Sequence, residues 1–267
     1  MNAYLLAGAD HSTQPFTVGV NWFAAIETSE DASRTSVFRS RARHRAPRED
    51  HELGIVVTSC PTGEEGVPIA KALCRELMIA AESHHISTYD YDDLVQALLK
   101  VQSLATLDEL FSGDLKWQRT SVRLLNDLAH FHKNVLNVLP DVTAITWCDR
   151  DPTMRYPLAA SVVLLFNRPK KGEPHEWAPL AKRLLGKAPE PLLVLNEIVH
   201  RLYPLRWSGS LASKLEGRLK LLNSLAEADA PALAEPLAEA RKRFQAKIDA
   251  ERRSEQEADR ARNNRFE

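Results

Sequence analysis

Several stretches of this 267-residue chain place chemically useful residue types close together. The most suggestive is "GIVVTSCPTGEEGVPIAKALCREL" (residues 54–77), which has the order of an apolar run, a glycine loop and a helix. Phosphate-binding loops are built in that order. A Walker-type loop needs G-x-x-x-x-G-K-[ST], because backbone N–H groups cradle the phosphate, the Lys meets its charge and the hydroxyl holds magnesium. Here Val67 and Pro68 follow Gly66 in place of Lys and a hydroxyl residue. Pro68 also removes an N–H where donors are wanted. The stretch is therefore expected to be a helical hairpin. Residues 51–60 would be helical, with Leu53, Val56, Val57 and Cys60 on one face, and "PTGEEG" would be the turn before the next helix. A nucleotide-using enzyme is the rival reading.

Other clusters invite chemistry and lack a completing partner. "CDRD" sets Asp149 and Asp151 beside Cys148 and Arg150, but a metal nuclease would add a nearby Glu and Lys on a strand. Those carboxylates are expected to serve a turn. "RWSGS" (residues 206–210) only loosely follows the G-x-S-x-G elbow, without its first glycine or preceding strand. Ser208 or Ser210 is expected to cap the following helix, with Trp207 packing the joint. His130 and His132 stand two apart, and His84 and His85 are adjacent. On a helix such pairs do not converge on one ion, and no Cys or carboxylate set completes a tetrahedral site. Cys60, Cys74 and Cys148 are an odd number without metal-like spacing, as expected of single buried thiols in a reducing compartment. No catalytic, cofactor-binding or metal-binding residue is assigned, and no cofactor is expected.

The elements that would hold these residues are mostly helices. Ten glycines in 267 residues is few, and glycine inside a helix costs roughly 1 kcal/mol against alanine. Ile69, Ala70, Leu73, Cys74, Leu77, Met78 and Ala81 recur at three and four, which is one helical face. Pro68 suits that helix's first turn. Leu94, Val95, Leu98 and Leu99 repeat the pattern behind Asp92 and Asp93. "LATLDELF", "SVRLLNDLAHFHKNVLNVL", "PLAASVVLLF", "EWAPLAKRLL", "PLLVLNEIVHRL" and "LASKLEGRLKLLNSL" continue it, and no strand is expected beyond residue 60. The charged stretch from Arg241 to Glu267 suits a polar closing helix.

Residues 1–48 differ: Arg34, Arg39, Arg41, Arg43, Arg45 and Arg48 occur in one run without an acidic residue. Such a block is expected to be poorly ordered and solvated. In a nucleic-acid-binding reading, Arg41, Arg43 and Arg45 would make the contacts. Against that stands the formal net charge of −1, which predicts no general affinity for nucleic acid. No apolar run reaches the roughly 18 residues of a membrane span, and no secretion signal opens the chain, so a cytoplasmic protein is expected.

Spacing supplies one further signal. Asp114, Asp151, Glu190 and Asp229 each open a turn that runs into an apolar helix, at intervals of 37, 39 and 39 residues. A period near 38 with two helices per unit is the signature of an α-solenoid, whose hairpins bury their apolar faces by stacking. "DRDPTMRYPLAASVVLLF" resembles the inter-helix turn and second helix of HEAT-like repeats, through Asp149, Asp151, Pro152, Arg155, Ala159 and Leu165. "RWSGSLASKLEGRLKLLNSL" and the closing "IDAERRSEQEADRARNNRFE" resemble the C-terminal end of larger bacterial HEAT-like proteins. The resemblance covers about residues 50–267 and is strongest from 90. It implies an all-α HEAT-like solenoid over residues 49–267, with Asp151 and Arg155 bridging successive repeats. It implies a non-catalytic scaffold for a protein partner; a nucleic-acid-binding HEAT-like protein is the alternative. The chain is short for that group, and a truncated or altered N-terminus is expected.

Overall fold

The computed structural model describes residues 54, 55, 57, 58, 62–83, 91–129, 135–167, 175–204, 207–225 and 233–264. The Arg-rich segment therefore lies outside the described residues. Among those described, ten α-helices make the protein all-α: α1 (Val67–Glu82), α2 (Asp92–Val101), α3 (Ser103–Phe111), α4 (Leu115–Ala129), α5 (Asp141–Cys148), α6 (Pro152–Ala160), α7 (Pro179–Lys187), α8 (Pro191–Arg201), α9 (Leu211–Asn223) and α10 (Ala234–Asn263). Gly54, Ile55, Val57 and Thr58, the described part of the opening stretch, are helical too.

Local chemistry explains where these helices start. Pro152, Pro179 and Pro191 are the first residues of α6, α7 and α8, a position whose N–H has no intrahelical partner to lose. Three of the spaced acidic residues stand directly before α4, α6 and α8. Asp114 accepts the Trp117 N–H at 2.9 Å, and Asp151 caps α6 through the Met154 N–H. Glu190 holds the same position before α8 without a side-chain cap. The fourth, Asp229, lies outside the described residues.

Two expectations fail at helix ends. "SVRLLNDLAHFHKNVLNVL" is not α-helical throughout: α4 is described to Ala129, and Val135–Val138 is a 3-10 turn. "PLAASVVLLF" leaves the helix at Ala160, and its last residue enters β1 (Phe166–Asn167), paired antiparallel with β2 (Glu176–Trp177). Helical periodicity extends an apolar run past its true end. Val162 and Val163 close the helix in a turn, both donating to the Ala159 carbonyl, and only Phe166 and Asn167, paired with Trp177 and Glu176, form the strand.

The chain divides between Ser121 and Val122 into two compact units. In the first, α1 packs on α2 and α3, and α2 packs on α3. Met78 and Leu99 are wholly buried, and every α1 residue expected on the core face is buried except the half-buried Ile69. Ser121, itself buried, donates its hydroxyl to the Leu110 carbonyl. The nearly buried Glu109 carboxylate receives Arg75 Nε at 2.9 Å and Nη2 at 2.8 Å.

The second unit has a regular packing order. Successive helices pair as α5–α6, α7–α8 and α9–α10. In addition α5 packs on α7, α6 on α8 and α8 on α10. Successive hairpins thus meet through helices in equivalent positions, and α6 also packs on α7. The ends of α6 and α8 coincide, because Arg201 at the end of α8 reaches the Ala160 and Val163 carbonyls at the end of α6. The helices α9 and α10 are antiparallel: Arg241 reaches Leu225 near the end of α9, and Glu255 reaches Leu211 at its start. Leu237, Phe244 and Ile248 are the buried residues of α10, whose remaining surface is polar and charged.

Candidate functional site

The densest polar arrangement in the second unit lies at the helix ends. A helix leaves its last four carbonyls without intrahelical partners, and cations there also meet the negative end of its dipole. Four arginines supply such cations. Arg155 Nη1 donates to the Trp147 carbonyl of α5 at 3.1 Å, with its guanidinium over the Trp147 ring at 4.8 Å. Arg201 Nη1 donates to the Ala160 carbonyl at 2.8 Å and the Val163 carbonyl at 2.7 Å, beyond α6. Arg218 Nη1 donates to the Leu202 carbonyl closing α8 at 2.8 Å. Arg241 Nη2 donates to the Leu222 and Leu225 carbonyls of α9 at 3.3 and 2.9 Å.

Arg201 is the most deeply built of the four. Its Nη2 donates to Asn126 Oδ1 at 3.2 Å, and Asn126 Nδ2 donates to the Ser161 carbonyl at 3.0 Å. Within this unit one guanidinium therefore joins α4, the end of α6 and α8. Burial lowers its pKa to about 10, partly offset by Glu197, so it remains charged at neutral pH.

At the positions expected to bridge repeats, Asp151 caps its own helix and Arg155 donates to the end of α5 inside the same hairpin. The turn between α5 and α6 is short, so the α5 carbonyls stand beside Arg155. Arg201 joins the end of α8 to the end of α6. The rest of "CDRD" closes the same turn, with Tyr156 OH donating to Asp149 Oδ1 at 2.7 Å. Burial, and then that carboxylate, raise the Tyr156 pKa.

The remaining chemical candidates also resolve into structure. Glu64–Gly66 is a 3-10 turn; the Gly66 N–H donates to the Gly63 carbonyl at 3.1 Å, which also accepts Gln102 Nε2 at 2.8 Å. Ser210 caps α9 by accepting the Ser213 N–H at 3.0 Å and donates its hydroxyl to Glu255 at 2.7 Å. Glu255 completes the cap, accepting the Leu211 and Ala212 N–H groups at 2.6 and 3.1 Å, and these hydrogen bonds lower its pKa. Trp207 does not pack that joint; it is 53% exposed, because Glu255 and Ser210 already close the helix start. Arg41, Arg43, Arg45, Cys60 and the four histidines 84, 85, 130 and 132 lie outside the described residues. Among the described residues no three His, Cys, Asp or Glu side chains are placed to hold a metal ion, and no helix is long and apolar enough to cross a membrane.

Cys74 and Cys148 are free and buried. Burial, reinforced by Glu109 and Asp149 respectively, pushes both thiols up to about 12. A thiol held protonated is not a nucleophile at neutral pH. Iodoacetamide treatment of the native chain at pH 8 is therefore expected to leave both unmodified, with rapid labelling after urea unfolding. Peptide mass spectrometry reads the result, and native labelling at either residue refutes it.

No protein-family model, curated protein or solved structure matches this chain.

Proposed function

We propose that the helical region is a HEAT-like stack of hairpins that works as a non-catalytic scaffold for a protein partner. The packing of α5 on α7, α6 on α8 and α8 on α10 supports the stack, since solenoid units meet their neighbours through equivalent helices. The polar groups inside the second unit support a structural use. Arg155, Arg201, Arg218 and Arg241 are engaged with carbonyls, and Asp149, Asp151 and Glu255 hold turns and helix starts. Two free buried cysteines suit a reducing, cytoplasmic setting.

One observation carries the partner-binding reading. Met154 in the first turn of α6 is 51% exposed, and Leu192 and Leu193 in the first turn of α8, which packs on α6, are 46% and 39% exposed. Large apolar side chains left exposed on two packed helices mark protein contacts.

The test is capture with the tagged full-length chain in cells of its source, beside a variant carrying Met154→Glu, Leu192→Glu and Leu193→Glu. A defined protein recovered by the native chain and lost with the folded variant is the expected result. Equal recovery by both, or none by either, rejects the reading. Salt-sensitive retention on a labelled duplex, lost on replacing Arg41, Arg43 and Arg45, would instead favour the nucleic-acid alternative.

A further inference from the structure

The short strands β1 and β2 are held on α9 by three contacts. Trp177, buried on β2, donates Nε1 to the Leu221 carbonyl of α9 at 2.8 Å. The Arg218 guanidinium of α9 lies over the Phe166 ring of β1 at 5.1 Å. His175 stands just before β2 and stacks on Phe166, with centroids 4.9 Å apart and rings inclined by 24°. Its other neighbour is Gly217 of α9: a Cβ there would lie 3.6 Å from His175 Nε2, so the imidazole is close against the helix.

His175 Nδ1 is buried and has no hydrogen-bond partner. As an unprotonated ring nitrogen it gives up one hydrogen bond to water. As an N–H it would be a charged donor without an acceptor, which is far costlier. The charged groups acting on it are Arg218 and Lys214, both cations on α9, while its strand neighbour Glu176 is exposed. The Phe166 face would favour an imidazolium, but Arg218 already lies over that ring. We infer that β1 and β2 form a proton-sensitive clasp on α9, which opens when His175 takes up a proton.

The sign follows from the direction of the shift. Burial first, and then Arg218 and Lys214, lower the His175 pKa in the closed form from its ordinary 6.5. The open form therefore binds more protons as pH falls through that value, and the closed form loses its advantage until its own lower midpoint is passed. Each unit of displacement raises the open-to-closed ratio about tenfold across that window. The clasp is closed at neutral pH.

Amide hydrogen exchange of the full chain at pH 7.5, 6.5 and 5.5, corrected for intrinsic rates, tests this directly, with His175 titrated by NMR in parallel. Protection of the Ala178 amide, which donates to the Leu165 carbonyl across the two strands, is expected to fall on acidification in the native chain and to hold constant in His175→Gln. Lys214→Glu, at an exposed position, is expected to raise the His175 midpoint and keep the clasp closed to lower pH. A native midpoint at or above 6.5, or equal loss of protection in His175→Gln, overturns the proposal. Because these readouts need no partner, failure to capture one leaves the clasp standing.

Discussion

Replacing Arg201 with Met should destabilise the second unit by about 3 kcal/mol, a large effect for one substitution. The guanidinium donates to three acceptors, the carbonyls of Ala160 and Val163 and the Asn126 side chain. Removing it leaves those acceptors partly buried and unpaired, at about 1–3 kcal/mol for each group that finds no substitute. Water reaching the end of α6 offsets part of that sum. Lysine would keep the charge but not the planar fork that serves three directions, so Arg201→Lys should recover less than half the loss. Urea unfolding followed by circular dichroism measures both variants. If Arg201→Met unfolds within about 0.5 kcal/mol of the native chain, the ordinary range of surface changes, the linking role is wrong.

Phe244→Ala should cost about 3–5 kcal/mol, the range for deleting a buried aromatic ring. Phe244 is completely buried and lies against Tyr203, with centroids 4.5 Å apart. Only Leu237 and Ile248 share the burial of α10, a helix of 30 residues. With so few apolar anchors, α10 cannot stay docked on α9 and α8 after losing the largest. The Arg252–Glu216 ion pair, at 2.5 Å on the surface, adds little against this loss. The helix α10 covers apolar surface on α9 and α8, which its loss would expose. The variant should therefore show early trypsin cleavage between Arg241 and Arg262, and self-association in light scattering. Native-like protease resistance would show that α10 is held by something other than this core contact.

Local features of this fold were legible in the sequence because their causes are local. The faces of α1 and α2 follow from spacing at three and four. Asp114 and Asp151 cap α4 and α6, and Ser210 caps α9, because a cap engages an N–H two or three residues away. Gly66 closes a 3-10 turn, with its amide turned to the Gly63 carbonyl. The end of α6 was misread because apolar periodicity runs through Val162 and Val163, and the partner that draws Phe166 into a strand is Trp177.

The arginines mark the boundary between the two kinds of information. Arg155, Arg201, Arg218 and Arg241 have no common spacing, and apart from Arg155, which the resemblance singles out, they look in the sequence like ordinary surface cations. Their partners are carbonyls at the ends of other helices, as far as 41 residues away for Arg201 and Ala160. The same holds for Glu255 at the start of α9 and for His175 against Gly217. By itself the sequence determined that helices form and where many begin. Only the tertiary structure decided which carbonyl meets which guanidinium, since helix ends from distant segments become neighbours only once their apolar faces have packed.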